Sequence, residues 1–122
     1  MQRDIQHVLE LWGGWAAMDS SGVDYSHIAA GFKGLFPPTG KTRLCCTDGD
    51  ALIIESCMAS LRKKKPYEHG LLVAHYIYCV SKRKIAKKLK KDEKLIRIEI
   101  QLAEGFIDGC LSILSIKLEM DG

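Results

Sequence analysis

The chain has 122 residues, of which 47% are hydrophobic and 27% are charged. This length is typical of one domain with one modest core, so we expect residues 1–122 to form a single unit. The longest uninterrupted aliphatic run, 71–74, is far shorter than the roughly 20 apolar residues of a membrane span. Residues 1–20 contain Arg3, Asp4 and Glu10, which excludes the apolar centre of a signal peptide. The sequence therefore predicts a cytoplasmic protein with no membrane partner.

The net charge of +3 hides a strong asymmetry along the chain. Residues 1–61 carry a net charge of −3, residues 62–97 carry +10, and residues 98–122 carry −4. Basic residues concentrated between acidic flanks favour an anionic partner over a merely solvated basic face. Charge alone therefore indicates nucleic-acid binding.

The first predicted element is an amphipathic helix near the N-terminus. Its apolar residues share one stripe at helical spacing and are Ile5, Val8, Leu9, Trp12, Trp15 and Ala16. This pattern is more typical of a core helix than of a partner-binding face. Residues 19–50, in contrast, are rich in glycine, proline and small polar residues. They leave room only for a short helix near Ser26–Phe32.

Helical periodicity returns at Asp50, which is expected to cap a helix that ends in the basic residues 62–65. Ile54, Cys57 and Leu61 fall on one face of this helix. Residues 1–65 are therefore expected to contain the N-terminal helices and the irregular loop.

Three further helices are predicted in residues 66–118. Pro66 can begin the first of them, which extends to about Cys79. Ser81 is the expected N-cap of a short basic helix, 82–89, and Asp92 that of a long final helix running to about Leu118. No segment alternates as a strand does. The predicted fold class is all-α: a small helical domain with a C-terminal helix-turn-helix and a long final helix.

The last two helices have the apolar spacing of a helix-turn-helix. This motif needs small and apolar residues at fixed places because two short helices pack at a steep angle across a tight turn. The expected packing residues are Ile85, Ala86, Leu89, Ile96, Ile100 and Ala103. Ala86 is the most informative of them, since a larger side chain at the crossing would push the helices apart.

The opposite face of the final helix carries side chains suited to contacting base edges. Lys94, Arg97, Ile98 and Gln101, which we name the recognition stripe, are spaced i, i+3, i+4, i+7. In the major groove arginine pairs with guanine, glutamine pairs with adenine, and an aliphatic group contacts the thymine methyl. The stripe is therefore predicted to contact the bases of double-stranded DNA.

The preceding helix and the turn are strongly basic. The predicted phosphate contacts are Lys82, Arg83, Lys84, Lys87, Lys88, Lys90 and Lys91. One arrangement thus accounts for both the apolar spacing and the charge concentration. The alternative is an ordinary helical hairpin with a basic face, because short motifs have known false matches.

Residues 67–111 are similar to the fourth conserved region of bacterial sigma factors, in the form seen in phage late-gene regulators. The opening MQRDIQHVLELWGGWAA and the segments SSGVDYSHIAAGFKGL and AEGFIDGCL resemble phage antitermination protein Q of the smaller lambdoid and prophage type. The similarity covers nearly the whole chain.

This resemblance implies a mechanism. Such proteins bind DNA within the late promoter region and load onto RNA polymerase paused just downstream with its sigma factor engaged. The modified polymerase then transcribes through terminators into the late genes. The helices 82–89 and 93–101 would form the DNA-binding unit. The acidic and aromatic flanks, including Trp12 and Trp15, would be candidates for contacts to polymerase holoenzyme or to a second copy.

The chain departs from the usual motif in two places, the turn and the end of the preceding helix. The turn normally carries glycine followed by an apolar residue, where this chain has Lys90 and Lys91. The preceding helix often ends in glycine, where this chain has Cys79. A non-glycine residue at positive φ costs about 1 kcal/mol of stability. The alternative to an intact regulator is therefore a less stable protein or a degraded prophage copy.

Other kinds of site are disfavoured. The Thr39–Thr42 segment resembles the end of a phosphate-binding loop, but Leu35 stands where that loop needs glycine. His75 and Cys79 are four residues apart, yet they lack the paired ligands of a structural zinc site, so core packing is favoured. The five cysteines, Cys45, Cys46, Cys57, Cys79 and Cys110, are expected to be reduced and mostly buried. We expect no metal, no cofactor and no enzymatic activity.

Two alternative functions use the same features. A promoter-binding repressor or activator would carry the same helix-turn-helix and change transcript initiation rather than transcript length. A protein–protein adaptor would use the basic face against an acidic partner and would have no DNA affinity.

Overall fold

The computed structural model describes residues 4–17, 44–113 and 118. In these residues it contains five α-helices and no strand, which confirms the all-α fold. They are α1 (Ile5–Ala16), α2 (Asp48–Lys64), α3 (Pro66–Leu72), α4 (Lys82–Leu89) and α5 (Glu93–Ile113). A π-helical turn, Val73–Ile77, continues α3 directly. The predicted helix near Ser26–Phe32 lies outside the described residues.

The first helix is a core helix, as its periodicity predicts. Asp4 caps it by accepting a hydrogen bond from the backbone N–H of His7 at 3.2 Å. Trp12 is fully buried and Trp15 is 5% exposed. The indole N–H of Trp12 donates to Glu55 on α2 at 2.9 Å, and that of Trp15 donates to Asp48 at 2.8 Å. Because both side chains are buried in the core, the expectation that Trp12 and Trp15 contact polymerase or a second copy is wrong.

Gly14, which lies between the two tryptophans, allows the chain to cross α1 closely. A Cβ placed on Gly14 would lie 2.0 Å from the carbonyl oxygen of Leu44. Near this crossing, the backbone N–H of Cys46 donates to the carbonyl of Leu11 at 3.2 Å. Only glycine leaves room for this approach. The segment before α2 is thereby fixed against α1.

The start of α2 differs from the prediction. Thr47 is the N-cap, and its hydroxyl accepts the backbone N–H of Asp50 at 3.2 Å. The helix therefore begins at Asp48, and Asp50 lies in its first turn, only 3% exposed. The expected N-cap at Asp50 is therefore wrong. The hydroxyl of Thr47 accepts the backbone N–H of Asp50, so the N-cap lies three residues earlier than predicted.

The long helix α5 is packed against every other described helix. It contacts α1, α2, α3 and α4, while α1 also packs on the π-helical turn. Ile107 and Leu111 are fully buried in this core. The helix ends at Ile113, before residues 114–117, which lie outside the described residues, and Leu118 is not helical. No described helix is long and apolar enough to cross a membrane.

Candidate nucleic-acid interface

The first helix of the motif, α4, begins and ends with local caps. The hydroxyl of Ser81 accepts the backbone N–H of Lys84 at 3.2 Å, as the sequence predicts. Lys90 ends the helix in the left-handed conformation, with φ at 56°. This conformation lets the next residue, Lys91, donate its backbone N–H to the carbonyl of Ala86 at 2.9 Å. The chain then turns sharply toward α5.

The second helix of the motif, α5, begins after Asp92. The carboxylate of Asp92 accepts the backbone N–H of Lys94 at 2.9 Å, which fixes the start of the helix two residues after the turn. Glu93 lies in the first turn, where a negative charge is favourable beside the helix N-terminus. The predicted N-cap and the observed helix start agree.

The apolar spacing corresponds to a buried contact between α4 and α5. Of the six expected packing residues, five are at most 4% exposed: Ile85, Ala86, Ile96, Ile100 and Ala103. Leu89 is half-buried and packs against the edge of the same cluster. Because the buried residues of α5 occupy one side of the helix, the opposite side faces outward.

All four residues of the recognition stripe lie on that outward side. Lys94, Arg97 and Gln101 are exposed, and Ile98 is 50% exposed. The guanidinium of Arg97 forms an ion pair with Glu93, one turn earlier, at 3.1 Å. This pair directs the arginine along the exposed face of α5 toward its N-terminus.

Leu95 and Leu102 extend the exposed apolar surface beside Ile98. Leu95 is 44% exposed and Leu102 is 65% exposed. These two leucines are not among the residues predicted to contact bases. The signal was present, since Leu95, Ile98 and Leu102 are spaced i, i+3, i+7 on the face opposite to the packed one.

The basic side chains of α4 are mostly free to meet an anion. Arg83, Lys84, Lys87, Lys88 and Lys90 are exposed. Lys82, in the first turn, is half-buried. The structure thus brings six of the seven expected phosphate contacts to α4 and its C-terminal cap, beside the start of α5.

Lys91, the seventh, is engaged by other residues of the chain. Its ammonium group donates to the hydroxyl of Tyr67 at 2.8 Å and lies 4.3 Å from the centre of that ring. It also lies 3.5 Å from a carboxylate oxygen of Glu99 on α5. The hydrogen bond to Tyr67 is the largest of the effects that raise the pKa of Lys91 above its ordinary value. Local sequence patterns do not indicate this contact, because 24 residues separate the two partners.

The residues considered for a metal site are arranged for other roles. A ring nitrogen of His75 is hydrogen-bonded to the carbonyl of Val80 at 2.9 Å, and its ring packs edge-on against Tyr76. Cys79 is exposed at a φ of 57°, so its expected burial is wrong. Within the described part of the chain, no three histidine, cysteine or acidic side chains lie close enough to hold a metal.

The prediction that the cysteines are mostly buried is also wrong. All five are free thiols, but only Cys46 and Cys57 are buried. Cys45 and Cys79 are exposed, and Cys110 is half-buried. Burial raises the pKa of Cys46 to about 11, so this thiol stays protonated at neutral pH.

These helices define a small all-α protein with a C-terminal helix-turn-helix. The sequence profile of the family described as phage antitermination protein Q matches residues 2–119. The chain belongs to this family, which is one of phage transcription regulators.

Two relatives agree with that assignment, and one solved structure shares the fold. The chain is 50% identical over 122 residues to the probable antitermination protein Q of Acyrthosiphon pisum secondary endosymbiont phage 1, covering 99% of this chain and 82% of the relative. It is 47% identical over 119 residues to the prophage antitermination protein Q homolog QuuD of Escherichia coli, covering 98% and 94%. A solved transcription antitermination factor Q matches the fold, with a TM-score of 0.60, 20% identity and 93% of each chain covered.

Proposed function

We propose that this protein is a sequence-specific DNA-binding antiterminator. It loads onto promoter-proximally paused bacterial RNA polymerase holoenzyme in the cytoplasm of the host and permits read-through of terminators for phage late genes. The observation that carries the DNA-binding part is the exposed recognition stripe on α5, next to the basic helix α4. Membership of the antitermination protein Q family supports the transcriptional part.

The recognition stripe offers three different base contacts. The guanidinium of Arg97 can pair with a guanine, the amide of Gln101 with an adenine, and the side chain of Ile98 with a thymine methyl. The ion pair between Arg97 and Glu93 does not prevent this. An exposed pair of this kind is worth about 0.3–0.5 kcal/mol, whereas a bidentate arginine–guanine contact discriminates by about 1–3 kcal/mol.

The cations of α4 supply the sequence-independent part of binding. Lys87 and Lys88 lie in its last turn, and both are exposed. Contacts from such side chains to phosphates fix the position and orientation of the motif on the duplex. Because each contact releases counterions, the affinity for DNA falls steeply with salt.

A single helix-turn-helix contacts only a few base pairs, so the protein needs a further source of specificity. We propose that polymerase holoenzyme, or a second copy of this chain, supplies it. Stable recognition of the promoter region would then depend on the assembled complex rather than on the isolated protein.

The DNA-binding part is tested by a salt-dependent titration. The probe is a duplex taken from just downstream of the gene for this protein, with a scrambled duplex as competitor. We expect preferential binding to the first duplex with a steep salt slope. Equal and weak binding to both duplexes would indicate only nonspecific electrostatic attraction. No binding even at low salt would contradict the assignment of α4 and α5 as a DNA-binding helix-turn-helix.

Transcription with purified holoenzyme tests the antitermination part. The template carries the cognate promoter region followed by a terminator, and the control template carries an unrelated promoter. We expect longer transcripts only from the cognate template. A change in the amount of transcript initiated, without read-through, would instead support a promoter-binding repressor or activator that uses the same motif.

A further inference from the structure

A second basic cluster lies outside the helix-turn-helix. Arg62, Lys63 and Lys64 form the last turn of α2, and Lys65 links it to α3. All four side chains are exposed, and none forms an ion pair with a carboxylate in the described residues. Cations at a helix C-terminus interact favourably with the helix dipole, but they keep their charge toward solvent. We name these residues the α2–α3 junction.

The contact between Tyr67 and Lys91 connects the start of α3, which follows this junction, to the turn of the helix-turn-helix. Lys91 lies in the turn between α4 and α5, and its ammonium group is hydrogen-bonded to Tyr67 at 2.8 Å. Tyr67 is the second residue of α3. Lys65 precedes it by two residues, so their Cα atoms are at most about 8 Å apart. Lys65 is therefore close along the chain to a side chain that contacts the turn, and that turn also carries Lys90.

The hydrogen bond between Tyr67 and Lys91 thus marks the boundary between the two basic regions. Glu99, which also contacts Lys91, is mostly covered, with 16% of its side chain exposed. The ammonium group of Lys91 is hydrogen-bonded to Tyr67 and paired with Glu99, so it already has partners at this boundary. Exposed lysines lie on either side of that boundary.

We infer that Lys64 and Lys65 contact backbone phosphates of duplex DNA beyond those reached by the helix-turn-helix. The inference rests on the proposed function, because the duplex is positioned by the recognition stripe on α5. Successive phosphates on one strand are separated by about 3.4 Å along the helix axis, so a duplex seated on the motif carries its charge past the adjoining surface. The junction would lengthen the bound site without adding sequence readout.

The test combines a charge-removing variant with duplexes of two lengths. The variant is Lys64→Gln with Lys65→Gln, and the matched control is Lys64→Arg with Lys65→Arg, which keeps both charges. Hydroxyl-radical footprinting on wild-type protein first maps the protected positions of the DNA backbone. One duplex spans the full footprint with flanks, and the other is cut back to the base pairs contacted by the motif alone.

On the long duplex, removing the two charges should lower the slope of log K against log salt by roughly two. Protection should also be lost at one end of the footprint. On the short duplex the variant and wild type should bind alike, and the arginine control should match wild type on both. Circular dichroism of each variant checks that helix content is unchanged.

Two results would overturn the inference. An unchanged slope on the long duplex would mean that the junction meets something other than DNA, such as an acidic protein surface. Equal losses on both duplexes would mean that the lysines act only through long-range attraction. If wild-type protein prefers no duplex at any salt concentration, the proposed function fails as well, so the two failures are distinguishable.

Discussion

Arg97 and Lys87 are both exposed cations of the helix-turn-helix, but their positions give them different roles. Arg97 lies on the outward face of α5, where Glu93 orients its guanidinium. Lys87 lies on α4, one turn before the left-handed cap at Lys90. A planar guanidinium can pair with a base edge in two places, whereas an ammonium group on α4 meets a phosphate as a point charge. The two residues therefore separate sequence readout from backbone attraction.

Replacing Arg97 by alanine should weaken binding to the cognate duplex by about 1–3 kcal/mol and relax specificity at one base pair. The physical reason is the loss of a bidentate contact. Arg97→Lys keeps the charge without the fork and should recover little of the specificity. The measurement is the affinity for the cognate duplex and for single-base variants of it.

Lys87→Ala is the matched comparison for that experiment. It should weaken all duplexes alike and lower the slope of log K against log salt by roughly one. If Arg97→Ala and Lys87→Ala act in the same way on every duplex, Arg97 does not contact a base.

At the scale of the elements, two helix ends depend on residues in the left-handed conformation. Cys79 follows the π-helical turn at a φ of 57°, and Lys90 ends α4 at a φ of 56°. Glycine adopts this conformation without steric cost, whereas a residue with a Cβ pays about 1 kcal/mol. The two departures that the sequence shows from the usual motif are thus the two strained positions of the described chain.

Cys79→Gly should raise the free energy of unfolding by about 0.5–1 kcal/mol, because it relieves this strain at an exposed position. Urea denaturation followed by circular dichroism measures the change. Cys79→Ala is the control, since it removes the thiol but keeps the Cβ and should give no such gain. A stabilisation of equal size in both variants would show that the thiol, rather than the backbone, is responsible.

The crossing of α1 by the segment before α2 gives a second prediction at this scale. Gly14→Ala should destabilise the protein by about 1–3 kcal/mol, because the new methyl group would overlap the carbonyl of Leu44. Gly105→Ala, on the open side of α5 with no atom within 4 Å of a Cβ, should instead stabilise by about 0.5–1 kcal/mol. Thermal or urea unfolding compares them. Similar effects at both sites would contradict the close approach.

At the scale of the whole molecule, buried polar pairs join helices that are distant in the chain. The hydroxyl of Tyr76, in the π-helical turn, donates to the carboxylate of Glu104 on α5. Glu104 is 3% exposed and Tyr76 is 4% exposed. Desolvation by burial, followed by the hydrogen bond to Glu104, raises the pKa of Tyr76 well above its ordinary value of 10.0.

This shift makes stability depend on alkaline pH. Tyr76 loses its proton more readily in the unfolded chain than in the folded one, so its contribution is complete below about pH 10 and is lost as the pH rises above that value. Wild-type protein should therefore lose stability more steeply than Tyr76→Phe as the pH rises above about 10. Urea midpoints across this range test it. Parallel curves for the two proteins would contradict the assigned cause.

The Tyr76→Phe protein should also be less stable at neutral pH. Its Glu104 carboxylate would stay buried without the tyrosine hydroxyl, a loss of about 1–3 kcal/mol. The pH comparison therefore uses the shape of each curve rather than its absolute height.

The sequence by itself determined the all-α fold, the limits of α4, the start of α5 and the outward face that carries Arg97. Each depends on interactions within one or two helical turns, such as the caps at Ser81 and Asp92, so local spacing is sufficient to predict them. Local spacing was not sufficient to predict the start of α2, because Thr47 and Asp50 both have side chains that can cap a helix. The helix begins at Asp48, so Thr47 is the N-cap.

Only the tertiary structure decided which side chains are buried and which already have partners within the chain. It engages Lys91 with Tyr67, connects the start of α3 to the turn of the motif and leaves Cys79 exposed. These outcomes depend on which helix faces pack against one another, and that packing joins residues far apart in the chain. Periodicity assigns a residue to a face of its own helix, but burial and partners are set by what the other helices place against that face.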